Sequence, residues 1–379
     1  MRLRFRWGSL ILYGASPMLA HGFSLGRPDH QSLLIALITI ALCAEWTLTR
    51  EPSQSWSIVS GASWSLALWV SLYEPLVLLV IVVACCLRSM MKAERRIGWI
   101  VFAMVLAIAF IVERRIPAWP SGEFSGALRN WSTTVGELAR VSLASTIWFN
   151  WCGWLLLLVP IVFWPKWNRN TPLFLIALLM AAFALTIWQA RWSYFFVMIF
   201  AMLVPEILSV LRKPLIATTI FIIALFPIAQ AWDHLFADEE LARRAENKIE
   251  QLELRAISLQ IDGPFIAPWW FSPALSYWSR QPGVGGSSHE SIGGIVETVK
   301  FFETQEAEEA KQILDRHNVN WIVSYDADRV AQNSAQILGN PVPKNALCYL
   351  LDRRASEVPP FLRLIAQTGR FKLFRAEKS

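Results

Sequence analysis

Apolar residues fall into nine runs within the first 232 positions of the chain, and no comparable run follows them. A helix needs roughly 20 predominantly apolar residues to cross a bilayer, and several of the runs are shorter than that. The two runs that meet at 73–75 (Tyr-Glu-Pro) are the least regular and could form a re-entrant or broken element. The pattern predicts a helical membrane domain. Its runs are 8–21, 32–48, 56–72, 74–88, 97–113, 146–164, 171–188, 192–211 and 214–232.

The remainder of the chain has the pattern of a folded domain in water. Residues 236–254 are charged and favour a helix, and the apolar-rich segment 255–261 predicts a strand. Further on, an amphipathic helical pattern at 304–317 leads into a buried strand at 319–326. A helix that ends at a polar turn before a hydrophobic strand is a common α/β unit. The pattern therefore predicts a mixed α/β domain.

The predicted fold class is a polytopic α-helical membrane domain, 1–232, followed by a mixed α/β extracytoplasmic domain, 233–379. The first domain includes a long external loop at 114–145. Hydrophobic residues make up 55% of the chain and charged residues 17%, whereas soluble domains have about 45–50% apolar and about 25% charged residues. This composition excludes an ordinary soluble protein and a disordered chain. The five cysteines show no spacing typical of a metal site or a disulfide framework.

The formal net charge of +6 is concentrated in the apolar part of the chain. Residues 1–232 contain 18 Lys/Arg and 9 Asp/Glu, an excess of nine, whereas residues 233–379 contain 17 and 20, a deficit of three. An excess of basic residues between apolar runs orients helices in a bilayer. We therefore expect no nucleic-acid partner.

With nine crossings, four basic clusters fall on one face, which should be the cytoplasm. The opposite face then receives 22–31, 114–145, the turn at 189–191 and the whole C-terminal domain. The loop 114–145 carries four arginines of its own, which departs from this rule. The N-terminus also resembles a signal peptide, and residue 22 reaches the outer face whether or not it is cleaved. The four clusters are Arg2, Arg4 and Arg6; Arg88, Lys92, Arg95 and Arg96; Lys166 and Arg169; Arg212 and Lys213.

The first candidate site lies in the segment 26–31 (Gly-Arg-Pro-Asp-His-Gln) at the outer face. Asp29 and His30 place a carboxylate and an imidazole side by side at the start of an apolar run. Both groups can bind a divalent cation. The alternative is that Asp29 caps the next helix, a role that Asp performs well.

The second candidate is Glu137 in the external loop, preceded by Thr133 and Thr134. A carboxylate at the outer face could orient an acceptor or contact a cation. The alternative is a capping box, in which Thr134 caps a helix and Glu137 reaches back to it.

The third candidate is Arg191, which lies between two apolar runs. A planar guanidinium at membrane depth suits a diphosphate, because it can donate two parallel hydrogen bonds. The alternative is an interfacial anchor beside the aromatic residues Trp188, Trp192 and Tyr194.

The C-terminal domain contains two further candidates. Trp269 and Trp270 are adjacent and could bind an acceptor, although paired tryptophans more often pack in a core. His289 and Glu290 could bind a ligand or transfer a proton, but a single His-Glu step is unspecific.

Taken in their order along the chain, these candidate motifs resemble those of the catalytic subunit of oligosaccharyltransferases, a family of the GT-C class of membrane glycosyltransferases. Asp29-His30-Gln31 is similar to the family's second acidic loop motif. Residues 134–137 match its Ser/Thr-Val/Ile-x-Glu motif, and Arg191 corresponds to an Arg that contacts the lipid diphosphate. The Trp269–Trp270 pair falls where the family has a WWDYG-type motif. The segment 305–326 is similar too, and the resemblance runs from about residue 22 to residue 330.

The resemblance implies transfer of a sugar or oligosaccharide from a polyprenyl-(di)phosphate carrier to an acceptor protein or glycan. It implies catalytic roles for Asp29 and Glu137, and a cation, Mg²⁺ or Mn²⁺, bound by Asp29 and His30. Arg191 would bind the diphosphate. The implied location is the inner membrane of a bacterium, with the C-terminal domain in the periplasm. Trp269, Trp270, His289 and Glu290 would contact the acceptor.

Three departures from the family pattern leave alternatives open. No acidic residue precedes Asp29, so the family's first acidic loop is missing and a second polypeptide could supply it. Gln31 replaces a cation ligand, and WWDYG has become WWFSP, which removes the Asp that engages the acceptor. The chain could therefore be a non-catalytic relative that acts as a binding or scaffold subunit. A transporter fits less well, because the sequence shows no internal repeat.

Overall fold

The computed structural model describes residues 5–23, 30–114, 122–162, 171–211 and 213–377, without the side chains of Glu123, Ile161, Val162 and His289. Contacts between Cα atoms divide the chain into two compact units. Unit 1 comprises Met1–Ile116 and Glu137–Ala237, and unit 2 comprises Pro117–Gly136 and Asp238–Ser379. Unit 1 is helical and unit 2 combines helices with a small sheet, which is the predicted fold class.

The helices of the first 235 residues follow the apolar runs. Each of the nine runs contains helix within its described residues. The break predicted at 73–75 separates two complete helices, of which the second begins at Tyr73. In chain order the helices are α1 Arg6–Ala15, α2 Pro17–Gly22, α3 Gln31–Arg50, α4 Gln54–Val70, α5 Tyr73–Met90, α6 Arg96–Glu113, α7 Ser125–Thr134, α8 Ile147–Cys152, α9 Val159–Val162, α10 Leu173–Trp188, α11 Ser193–Ser209, α12 Pro214–Ala224 and α13 Phe226–Leu235.

Five helical segments of the described chain are long and apolar enough to cross a membrane. Two shorter apolar segments, Ile147–Leu158 and Leu173–Trp188, add to them. Several helical segments of this length and apolar composition are typical of a multi-pass membrane protein. The five are Gln31–Arg50, Tyr73–Met90, Ala93–Glu113, Ala190–Ser209 and Pro214–Leu235.

Helix α11 is the core of unit 1. Its side chains are buried on all sides from Tyr194 to Val204, as expected of a helix that is apolar around its whole circumference. Helices α1 and α10 pack along it. At its N-terminal half, the ring of Phe196 lies 5.5 Å from that of Trp148 and 5.7 Å from that of Phe183. The start of α11 is therefore held rigidly by aromatic packing.

Helices α4 and α6 cross at glycines. A Cβ atom on Gly61 would lie 2.1 Å from the carbonyl oxygen of Gly98, so only glycine permits this approach. Beside the crossing, Arg95 donates a hydrogen bond to the buried carboxylate of Glu45, which also accepts one from Ser60. This ion pair ties α3 to the start of α6. Arg95, expected among the cytoplasmic loop charges, is buried.

Unit 2 is built around a four-stranded sheet with the order β1-β2-β4-β3. Strand β1 pairs with β2 in parallel, and β4 pairs antiparallel with β2 and β3. Phe271, Tyr325 and Phe371 meet in its core, with ring centroids 4.9 to 5.1 Å apart. The strands are β1 Phe265–Ile266, β2 Trp321–Ser324, β3 Leu362–Thr368 and β4 Phe371–Ala376; the helices are α14 Asp238–Ser258, α15 Ser272–Ser279, α16 Ile292–Glu303, α17 Ala307–Arg316, α18 Ala327–Leu338 and α19 Leu347–Arg353.

The secondary structure predicted for unit 2 is confirmed in part. The amphipathic pattern at 304–317 forms α17, and the predicted strand at 319–326 forms β2. The strand predicted at 255–261 is wrong, because α14 continues to Ser258. Leu254 and Ile257 face the core from that helix, so their burial comes from helical rather than strand periodicity.

Candidate functional site

A buried ion pair joins the N-terminal ends of α5 and α11. Arg191 lies in a 3₁₀ turn, Ala190–Trp192, directly before α11. Its Nη2 atom contacts Oε1 of Glu74, which lies in the first turn of α5. The side chain of Glu74 is fully buried, whereas that of Arg191 is 24% exposed. Arg191 is therefore the more accessible member of the pair, although its Nε atom is buried.

Three features stabilise the buried carboxylate of Glu74. Arg191 supplies a positive charge, and Ser71 donates a hydrogen bond of 2.6 Å to the second carboxylate oxygen, Oε2. The position of Glu74 in the first turn of a helix adds the favourable end of the helix dipole. The rings of Tyr73 and Trp192, 5.8 Å apart, pack beside the pair and fix the two chain segments.

The segment that carries Glu137 runs alongside the turn that carries Arg191. The backbone N–H of Ala190 donates to the carbonyl of Ala139 at 2.8 Å, and that of Val141 donates to Ile187 at 3.2 Å. Glu137 lies two residues before Ala139, in a short turn, Gly136–Leu138, and is half-buried. The backbone thus brings two of the predicted site residues to the same end of unit 1.

Asp29 lies outside the described residues, and its two interpretations stay predictions. The preceding helix, α2, packs against the start of α11: His21 Nδ1 and the hydroxyl of Tyr194 are 2.9 Å apart. A Cβ atom on Gly22 would lie 3.2 Å from the Tyr194 ring. Helix α3 resumes at Gln31, with His30 at the N-cap position. His21 and Gly22, near the end of the described range 5–23, therefore lie beside Tyr194 of α11, which follows Arg191 by three residues in the chain.

One alternative interpretation is wrong and one stays open. Thr134 is the last residue of α7 and its hydroxyl donates to the carbonyl of Trp131, so it does not cap a following helix. Trp192 and Tyr194 are buried in the core, but Trp188, three residues before Arg191, is 48% exposed. The capping box therefore does not account for Glu137, whereas the interfacial-anchor interpretation of Arg191 stays a prediction.

Trp269 and Trp270 lie in unit 2 at the turn before α15. The Trp269 indole N–H donates to the side-chain oxygen of Asn333 at 2.8 Å, and its ring packs at 5.7 Å against Trp131. Trp270 is half-buried, with the guanidinium of Arg329 5.7 Å from its ring. Trp269 thus has a packing role, and Trp270 presents the more accessible face.

His289 and Glu290 lie in a 3₁₀ turn, His289–Ser291, which leads into α16. Glu290 is exposed. The structure does not describe the side chain of His289, so the role expected for His289 and Glu290 stays a prediction.

The described residues alone do not form a cation site. No group of three or more His, Cys, Asp or Glu side chains within them could hold a metal ion. The buried carboxylate at this end of unit 1, Glu74, already binds Arg191 and Ser71.

Glu74 is the site residue that the sequence interpretation missed. The sequence does mark Glu74, because a carboxylate at the start of an apolar run is costly in a membrane and needs a partner. The partner, Arg191, lies 117 residues away along the chain, and no local pattern connects the two.

No family model and no curated protein matches this sequence. Among solved structures, it is similar to the C-terminal globular domain of an oligosaccharyltransferase from Archaeoglobus fulgidus. The match has 16% identity and a TM-score of 0.28, and it covers 34% of this chain and 96% of that one. A second structure of such a domain from the same organism has 16% identity, covers 35% and 95%, and has a TM-score of 0.24.

A third similar structure is an Archaeoglobus fulgidus oligosaccharyltransferase tethered through a disulfide bond to an acceptor peptide with an NVT sequon. It has 14% identity and a TM-score of 0.42, and the match covers 98% of this chain. The chain spans 56% of the length of that protein. All three structures are oligosaccharyltransferases, the family that the motifs of this sequence resemble.

Proposed function

We propose that this chain is a GT-C-type membrane glycosyltransferase that uses a polyprenyl-(di)phosphate-linked sugar or oligosaccharide. The observation that carries the proposal is the partly exposed Arg191, held at one end of unit 1 beside the segment of Glu137. A guanidinium in that position can bind a lipid diphosphate whose polyprenyl chain lies against the apolar helices. The family resemblance supplies the reaction class.

In the proposed reaction, an acceptor atom attacks the anomeric carbon of the sugar and the bond to the diphosphate oxygen breaks. Negative charge grows on the departing diphosphate, and Arg191 stabilises it more strongly in the transition state than in the ground state. Glu137 would orient the acceptor. Trp270, with Trp269, His289 and Glu290, would contact the acceptor in unit 2.

A divalent cation, Mg²⁺ or Mn²⁺, is part of the proposal through Asp29 and His30. Such an ion would supply Lewis-acid stabilisation of the leaving diphosphate. Glu137 is a further carboxylate whose chemistry suits the same ions.

The proposed location is the inner membrane of a bacterium, with unit 2 in the periplasm. The proposed acceptor is a protein or glycan. Because WWFSP lacks the Asp of the family motif, we do not expect strict selection of an Asn-x-Ser/Thr sequence.

A transfer assay tests the proposal. Membranes containing the chain are incubated with a radiolabelled polyprenyl-diphosphate oligosaccharide, and release of polyprenyl diphosphate is measured with and without a chelator. We expect Asp29→Ala and Arg191→Gln to reduce turnover at least tenfold, because single electrostatic donors contribute on that order or more. Arg129, an exposed residue of α7, provides the control Arg129→Gln. Unchanged turnover in Asp29→Ala would contradict the assigned site.

A non-catalytic binding subunit is the second candidate, favoured by WWFSP in place of WWDYG, which removes the Asp that engages the acceptor in the family. It predicts that the chain binds polyprenyl diphosphate through Arg191 but does not release it from the sugar. Diphosphate binding without turnover, both alone and with the proteins encoded beside it, would favour this candidate.

A further inference from the structure

Arg191 is already occupied by an anion. The carboxylate of Glu74 contacts the guanidinium through Nη2 and is itself fully buried. The pair is neutral as a unit, so it presents little net attraction to a second anion. A guanidinium whose charge is balanced in this way is a weaker diphosphate site than a free one.

The Glu74 carboxylate is fixed in position, whereas the side chain of Arg191 can move away from it. Ser71 holds the second oxygen of Glu74 at 2.6 Å, and Glu74 lies within the rigid first turn of α5. Arg191 has a long side chain, is 24% exposed and has a buried Nε atom that makes no hydrogen bond. The unsatisfied Nε–H is a second donor that an incoming diphosphate oxygen could accept from after a small movement of the side chain.

We infer that Glu74 is the resident counter-ion of Arg191, and that a polyprenyl diphosphate binds by drawing the guanidinium away from Glu74, which stays hydrogen-bonded to Ser71. This inference rests on the proposed function. Glu74 then keeps Arg191 paired and the fold stable when no donor is present, because an unpaired buried charge is costly. It also weakens donor binding, which favours release of the polyprenyl diphosphate after transfer. Glu74 is a positioning residue in this scheme, since it acts on the donor only through Arg191.

The test measures binding of farnesyl diphosphate, a short polyprenyl diphosphate, to the full chain in nanodiscs. Glu74→Gln keeps the size of the side chain and one acceptor oxygen but removes the charge. We expect it to bind farnesyl diphosphate about tenfold more tightly than the wild type, since a full charge within a few ångströms of the ligand is removed. The increase should disappear in the double variant Glu74→Gln/Arg191→Gln.

The chain offers a matched control in Glu45. This glutamate is equally buried in unit 1 and also pairs with an arginine, Arg95. Glu45→Gln should lower thermal stability but leave the affinity for farnesyl diphosphate unchanged. If both variants bind more tightly, general loosening of the fold explains the effect and the inference is wrong. Glu74→Met, an uncharged side chain of similar length, replaces Glu74→Gln if the latter does not fold.

The outcomes separate this inference from the proposed function. If Arg191→Gln binds farnesyl diphosphate as well as the wild type, Arg191 is not a diphosphate site and both proposals are wrong. If Arg191→Gln weakens binding but neither Glu74 variant strengthens it, the donor site stands and only the counter-ion role is overturned.

Discussion

At the scale of single residues, the described part of unit 1 places two glutamates in its interior, each against an arginine. Glu74 pairs with Arg191, and Glu45 pairs with Arg95. A buried charge without a partner costs several kcal/mol, so removing one member of either pair lowers stability. The two pairs differ in exposure: Arg95 is 6% exposed and Arg191 24%. The Glu45 pair is therefore structural, whereas the Glu74 pair has an accessible side.

Substitution of Arg95 by Leu should destabilise unit 1 by about 3–5 kcal/mol, because the buried carboxylate of Glu45 is left unpaired. The neighbouring Arg96 is exposed, and Arg96→Leu should change stability little. Thermal unfolding in detergent micelles measures both. In the double variant Arg95→Leu/Glu45→Leu, most of the loss should be recovered. A double variant as unstable as Arg95→Leu would show that packing, rather than the unpaired charge, causes the loss.

In unit 2, burial raises the pKa of Glu303, and the nearby charge of Glu309 raises it further. Because the pKa is higher in the folded state than in the unfolded chain, ionisation of Glu303 lowers the free energy of unfolding as the pH rises through that pKa. Glu303→Gln should therefore be more stable than the wild type at pH 7. The difference should vanish below the ordinary glutamate pKa of about 4.3. Urea unfolding across this pH range tests it, and a difference that is independent of pH would contradict a role of the charge.

At the scale of elements, α7 joins unit 2 although it lies within the loop that connects two segments of unit 1. Asn130 donates to the carbonyl of Ile337 at 3.0 Å, and Gln336 donates to the Thr133 hydroxyl at 3.0 Å. Between these polar contacts, Trp131 is 4% exposed and packs against Trp269. The expected domain boundary at 232/233 assigned this loop to the membrane domain, whereas the contacts of 117–136 belong to unit 2.

Trp131→Ala should release α7 from unit 2. Loss of a buried Trp side chain costs about 3–5 kcal/mol, which is more than the two polar contacts of α7 can offset. Limited proteolysis of the intact protein should then cut within 122–136 much faster than in the wild type. Arg129→Ala, an exposed change on the same helix, is the control. Equal cleavage rates in the two variants would contradict the anchoring role of Trp131.

At the scale of the whole molecule, the fold class combines a multi-pass helical part with a small α/β unit. The burial of Arg95 removes one charge from the second basic cluster, but Lys92 and Arg96 remain exposed. The positive-inside rule still predicts that cluster on the cytoplasmic side. The same rule predicts the outer side for residues 236 and 237, between α13 and α14.

Fusion of alkaline phosphatase, which is active only outside the cytoplasm, tests this orientation. A fusion after Lys92 should be inactive and a fusion after Ala237 active, since an odd number of crossings separates the two points in the nine-segment assignment. A cytoplasmic reporter such as a green fluorescent protein should give the opposite pattern. Phosphatase activity at Lys92 would reverse the proposed topology.

The candidate site was predictable from the sequence to the extent that its residues carry their own local signal. Arg191 and Glu137 stand out as charged residues beside apolar runs, and backbone hydrogen bonds from Ala190 to Ala139 and from Val141 to Ile187 bring their segments together. Glu74 could not be assigned in the same way, because its role depends on a partner that is distant in sequence. Charge and hydropathy identify residues that need a partner, but they do not identify the partner.

By itself, the sequence determined the helices of the membrane part, the α17–β2 unit and the division into an apolar and a polar part. These features depend on the periodicity of side chains within one segment, which the chain carries locally. Tertiary structure alone decided the pairing of Glu74 with Arg191, the attachment of α7 to unit 2 and the helical state of residues 255–258. Each of these depends on which surface a segment is packed against, and residues far apart in the chain supply that surface.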